Sequence, residues 1–144
     1  AYGVNLARSR IRRSVDGAVY GAACGLGFGA TENLAYQLQA LVEGGTFGWL
    51  LTVLARSLSS ILVHPAATGV TGYGMARARL GGRGAWAVLP YYAFAVVLHA
   101  LFNYIAAFLA PFAVGEVVLS LNFLFAVLLA VGAFRVLRGA IARA

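Results

Sequence analysis

The sequence predicts an all-α polytopic membrane protein, about four spanning helices packed around a polar intramembrane site. Three observations carry that prediction. Apolar residues make up 62% of the 144-residue chain and charged residues 10%, well below the roughly 25% charged of a soluble domain. Four charge-poor stretches are each long enough to cross a hydrocarbon core of ~30 Å as a helix, which takes ~20 residues. Three ionisable residues inside those stretches, Glu32, His64 and His99, fall at about one depth. With a mean hydropathy of +0.85, this composition excludes a soluble globular domain, a disordered tail and a collagen-like chain.

The spans follow in order. The first, 16–40, contains Glu32, and the second, 47–76, contains Arg56 and His64. The third, 85–110, contains His99, and the fourth, 117–134, has no ionisable residue. Gly44-Gly45 and Pro111 are stop signals between them. The charges sort by side. Arg8, Arg10, Arg12 and Arg13 precede the first span; Arg77, Arg79 and Arg83 separate the second from the third; Arg135, Arg138 and Arg143 follow the fourth. Glu43 and Glu116 lie on the opposite links. Ten of the eleven arginines thus share one side, which the positive-inside rule makes cytoplasmic, with both ends of the chain there too. Trp49 and Trp86 near span ends fit interfacial positions. Arginine grouped in this way signals topology rather than nucleic-acid binding. Cys24 is the sole cysteine, so no intrachain disulfide forms.

Gly17, Gly21, Gly25 and Gly29 recur every four residues. They make a smooth strip suited to close packing between membrane helices, or to backbone approach by a substrate. Tyr91, Tyr92 and the phenylalanines read as packing and interface residues.

Ionisable groups inside a span are costly and mark function or a structural pair. Measured from the arginine-rich side, Glu32 lies ~24 Å deep, His64 ~20 Å and His99 ~24 Å at ~1.5 Å per residue. Arg56 lies deeper, ~31 Å, where it either snorkels to the far interface or pairs with Glu32. Asn33 follows Glu32 directly. Ser60 and Thr68 flank His64 by one turn, and Asn103 lies one turn after His99. Pro65 removes a backbone hydrogen bond beside His64 and predicts a kink there.

A carboxylate, two imidazoles and an amide in a buried pocket can support hydrolysis. Glu32 is a candidate general base, the histidines proton carriers, and Asn103 a donor to an oxyanion. Glu32, His64 and His99 also match the two-His, one-carboxylate set of a catalytic zinc site, although the spacing lacks H-E-x-x-H. No serine elbow, P-loop or dinucleotide fingerprint occurs in context.

These residues resemble a family. Phe28 to Asn33 resembles the FxxxEN motif of the PrsW intramembrane proteases, His64 to Gly69 resembles HxxxTG, and His99 to Asn103 resembles HxxxN. The resemblance runs from about Val15 to Ala106. It implies a multi-pass protease of the bacterial inner membrane, related to CAAX-processing and bacteriocin-processing enzymes. Its substrate would be a membrane-anchored protein such as an anti-sigma factor, and its chemistry either metal-dependent or based on a glutamate-activated water. Glu32, His64, His99 and Asn103 would then be catalytic, with His99 and Asn103 stabilising the oxyanion, and Asn33, Thr68 and Arg56 would support them. The family's EExxK motif is not matched, since the chain has no Glu-Glu pair and no lysine. The expectation is that EExxK precedes Ala1 in a longer protein, or that the chain is an inactive relative. Two other readings stay open: a non-catalytic relative of immunity type that binds membrane helices, and a fragment of a proton-coupled transporter.

Overall fold

The computed structural model describes residues 10–109 and 116–142, which are helical with no strand among them. The expected link at Pro111 and the arginines at 8 and 143 lie outside the described residues. Helix α1 (Ser14–Leu80) is broken once, at Gly45, with φ 61° and ψ −159°. Only glycine adopts those angles without strain. A short 3₁₀ helix (Ala85–Val88) leads into α2 (Leu89–Leu109), and α3 (Glu116–Ala142) follows.

The break turns α1 into an antiparallel hairpin with limbs 14–44 and 46–80. Gly17 lies against Gly72, Gly21 against Thr68, and Gly25 against the His64 and Thr68 backbone. These pairings are centred on Gly44-Gly45, the stop signal in the sequence. A Cβ at Gly17, Gly21 or Gly25 would meet backbone atoms of the second limb. The glycine strip is therefore what lets the two limbs approach so closely. At the start of α1, Asp16 Oδ2 accepts hydrogen bonds from the Arg12 and Arg13 backbone N–H groups, at 3.0 and 2.8 Å. A carboxylate in the first turn also opposes the positive end of the helix dipole.

The second limb is the centre of the molecule. Ser60, Val63, His64, Ala66, Ala67, Val70 and Tyr73 are all buried on it. Ala66 and Ala67 pack with Ala95 and Leu98 of α2 and Ala133 of α3, and Val63 packs with Phe102. Large apolar side chains such as Leu34, Leu54 and Val97 face outward, as lipid-solvated helices require.

Two stretches among the described residues are long and apolar enough to cross a membrane, Ser14–Leu80 and Ala85–Ile105. The corresponding apolar part of α3, Val127–Val136, is shorter. The first of these stretches is the hairpin, whose limbs are ~46 and ~52 Å long at ~1.5 Å per residue. Backbone dihedrals stay helical through Pro65. The chain reverses at Gly45, within the expected Gly44-Gly45 stop signal, where a glycine pair makes reversal cheap.

Candidate active site

Three helical segments bring Glu32, His64 and His99 together. Glu32 and Asn33 come from the first limb, His64 from the second and His99 from α2. Helix geometry explains the meeting. Pairing across the glycine strip sets the register of the limbs, and Gly29 leaves room for the His64 ring, whose Cδ2 would lie 2.8 Å from a Cβ there. Packing of Ala95 and Leu98 against Ala66 and Ala67 then carries His99 to the same level.

His64 is 2% exposed. Its Nε2 lies 3.1 Å from Glu32 Oε2. The approach is not aligned as a hydrogen bond, and Nε2 is buried with no aligned partner among the described residues. Orphaned buried nitrogens are rare and call for a reason. Catalytic hydrogen bonds are often loose until substrate arrives. The His64 and His99 rings lie 5.0 Å apart, centroid to centroid. Phe28 stands edge-on to both, at 5.2 and 6.5 Å.

Arg56 does not reach for the far interface. Its Nη2 donates to Glu32 Oε2 at 2.9 Å and its Nε to Asn33 Oδ1 at 3.1 Å. Its guanidinium carbon lies 3.6 Å over the Tyr36 ring. Ser60, fully buried, has its hydroxyl 2.8 Å from Asn33 Oδ1 and 2.7 Å from the Arg56 carbonyl. Its single proton serves one of the two at a time. The effect is a clamp that fixes the Glu32 carboxylate opposite His64. Thr68 turns its hydroxyl to the His64 carbonyl, at 2.7 Å.

Asn103 is exposed on α2. It lines the same groove as His64 and His99, a space of about 640 Å³ walled also by Phe28, Thr71 and Tyr92. Sequence reasoning had set Phe28 and Tyr92 aside as packing residues. Phe28 touches both histidines, and Tyr92 lines the groove. The signal for Phe28 was its position four residues before Glu32, on the same helix face. Tyr91 behaves as expected of a packing residue: it stacks near Tyr73 at 5.9 Å and accepts from Arg77 Nη1 at 3.1 Å.

A catalytic zinc takes three protein ligands. Among the described residues no three His, Cys, Asp or Glu side chains form such a set. Glu32 Oε2, the carboxylate oxygen nearest His64, already faces the Arg56 guanidinium, a charge that opposes a cation. This arrangement of the described residues does not fit a metal.

Comparison with characterised proteins and with solved structures returns no match. Comparison with family profiles does. The profile described as PrsW family intramembrane metalloprotease matches residues 1–133, and that range holds the glycine hairpin, the Glu32–Arg56 clamp and both histidines. The chain belongs to the PrsW family of intramembrane proteases.

Proposed function

We propose that the chain forms a membrane domain whose Glu32, His64, His99 and Asn103 hydrolyse a peptide bond of a membrane-anchored protein, an anti-sigma factor being one such substrate. The observation that carries this reading is the meeting of Glu32, His64 and His99 at the head of an apolar groove. Glu32, oriented by Arg56 and next to the orphaned His64 Nε2, takes a proton from water as it attacks the scissile carbonyl carbon. His64 relays that proton to the leaving nitrogen. Asn103 and His99 donate to the oxygen that gains charge in the tetrahedral intermediate. Phe28 and the groove's apolar wall exclude bulk water and so strengthen these interactions.

The membrane arrangement that fits this chemistry has four spans: the two limbs of α1, then α2 and α3. Both ends of the chain lie on the cytoplasmic side of a bacterial inner membrane. This places the cluster past the middle of the bilayer, toward the far side.

The test uses the native gene product with a single-span reporter substrate in membranes. Glu32→Gln, His64→Ala and His99→Ala should each abolish cleavage while the protein stays membrane-inserted. If all three retain cleavage, the cluster is structural and the protease assignment for this site is wrong. Proton-coupled uptake into vesicles that fails in the same variants would replace it with a transport function.

A further inference from the structure

A second cavity lies between the limbs of α1 and shares no lining residue with the histidine groove. It measures about 430 Å³. The four-residue repeat of the first limb explains it. At Gly17, Gly21 and Gly25, backbone meets backbone across the hairpin. The next members of the same strip are Gly29, Asn33 and Gln37. From Gly29 on, side chains fill the gap, first the His64 ring and then the group of Asn33, Ser60 and Arg56. The cavity lies at that widening, walled by Gly25, Gly29 and Ile61 and by the polar residues Asn33, Gln37 and Ser57.

Those polar groups are costly where they stand. Measured from the arginine-rich side at ~1.5 Å per residue, Asn33 lies ~26 Å deep, Ser57 ~30 Å and Gln37 ~32 Å. All three are half-buried. Asn33 Oδ1 accepts from Arg56 and Ser60. The Asn33 N–H groups, the Gln37 amide and the Ser57 hydroxyl have no hydrogen-bond partner among the described residues. A lipid chain would pair none of them, and an unpaired polar group in hydrocarbon is expensive. Water pairs them all, and the space is many times what a single water needs, ~10–15 Å³.

The cavity adjoins the reacting cluster at two points. Gly29 borders the His64 ring, and Asn33 holds Arg56, the partner of Glu32. A substrate lying in the groove covers His64 and His99 from the other side, yet each cleavage consumes one water. We propose that the cavity between the limbs is the reservoir that supplies this water to Glu32, held at membrane depth by Gln37, Ser57 and the Asn33 amide; the supply role rests on the hydrolytic reading of the cluster. Water enters from the Gly45 end, where Gln37 and Ser57 reach the far edge of a hydrocarbon core ~30 Å thick. It moves toward Glu32 past Gly29 and Asn33. Gln37 and Ser57 are positioning residues, which hold water before it reacts and do not touch the scissile bond.

The native gene product, freed of its own cysteines (Cys24→Ala among them), receives one new cysteine at a time. Ala30→Cys and Ser57→Cys stand in the cavity lining. Thr31→Cys and Ala35→Cys are their controls, at ~23 and ~29 Å depth against ~21 and ~30 Å, outside that lining and on less buried or equally exposed positions. A charged, water-soluble thiosulfonate is added to open membrane sheets, so that it reaches both faces. Such reagents attack the thiolate, which apolar surroundings suppress, so each cavity thiol should react at least ~10-fold faster than its control. Gln37→Leu with Ser57→Leu leaves Glu32, His64, His99 and Asn103 in place. That pair should lower kcat on the single-span reporter about tenfold with KM unchanged, the pattern of a loss after substrate binding. Gln37→Asn with Ser57→Thr keeps the polar groups and should keep most of the rate. Cavity thiols as slow as their controls overturn the proposal, and so does an unchanged kcat in the leucine pair. A native protein that never cleaves overturns the supply role together with the hydrolytic reading, whereas fast cavity thiols in that protein would leave the wet cavity standing by itself.

Discussion

Arg56 decides how the site is read. Its ion pair with Glu32 is about one-fifth exposed on each side chain, so it is neither a screened surface pair nor a fully desolvated one. Arg56→Met removes the cation but leaves Glu32 and the Asn33–Ser60 pair in place. Losing a charged hydrogen-bond partner at a partly buried site costs ~1–3 kcal/mol, which equilibrium unfolding in mixed detergent would detect. Cleavage should fall as well, because the carboxylate loses its orientation toward His64. Asn103→Ala should behave differently, keeping stability and losing ~10²–10³ in rate, the usual effect of removing one oxyanion donor. Metal dependence is a separate prediction. The cluster's present donors support hydrolysis that resists chelators, checked by assaying cleavage after dialysis against a strong chelator; zinc at one per chain that is lost with His64→Ala would contradict it. At this scale the sequence was half legible. Equal depth marked Glu32, His64 and His99, because helical rise is regular. For Arg56 the sequence left two outcomes, and the pairing with Glu32 is the one observed: its long flexible stem lets the head turn toward the carboxylate instead of seeking water.

The glycine strip makes the hairpin, and its members do different jobs. Gly21→Val would drive a side chain into the Thr68 carbonyl. Backbone cannot yield there, so the limbs should separate and the protein should lose its folded yield. Gly29→Ala meets first the His64 side chain. That ring can shift, so the fold should survive while cleavage drops sharply. Gly27→Ala meets nothing within 4 Å and should stabilise the limb by ~1 kcal/mol through helix propensity alone. Thermal unfolding paired with a cleavage assay for the three variants separates these outcomes. The repeat of four was visible in the sequence as a packing strip. Its partner was not, because Gly69 and Gly72 on the second limb form a less regular pattern. The break was legible at Gly44-Gly45. At Pro65, where the sequence suggested a kink, the backbone dihedrals stay helical and the chain is not broken.

As a whole, the molecule is built around its second limb, with the first limb on one side and α2 and α3 packed against it. Burial concentrated on that limb, and many large apolar side chains facing out, is what a lipid-solvated bundle looks like. The arginine distribution predicts orientation: cysteines placed at Glu43 and Glu116 should label from outside intact cells, and one at Arg79 only after permeabilisation. Labelling of position 79 from outside would reverse the topology. In the proposed mechanism Glu32, clamped by Arg56 opposite His64, activates the attacking water. That role is tested most directly in purified native protein reconstituted with a single-span substrate, by comparing the initial cleavage rate with that of Glu32→Gln, which keeps the side chain's shape and its neighbours. Glu32→Gln should yield no product above background. A rate within about threefold of native, less than the 10²–10⁴ that a general base contributes, would contradict it.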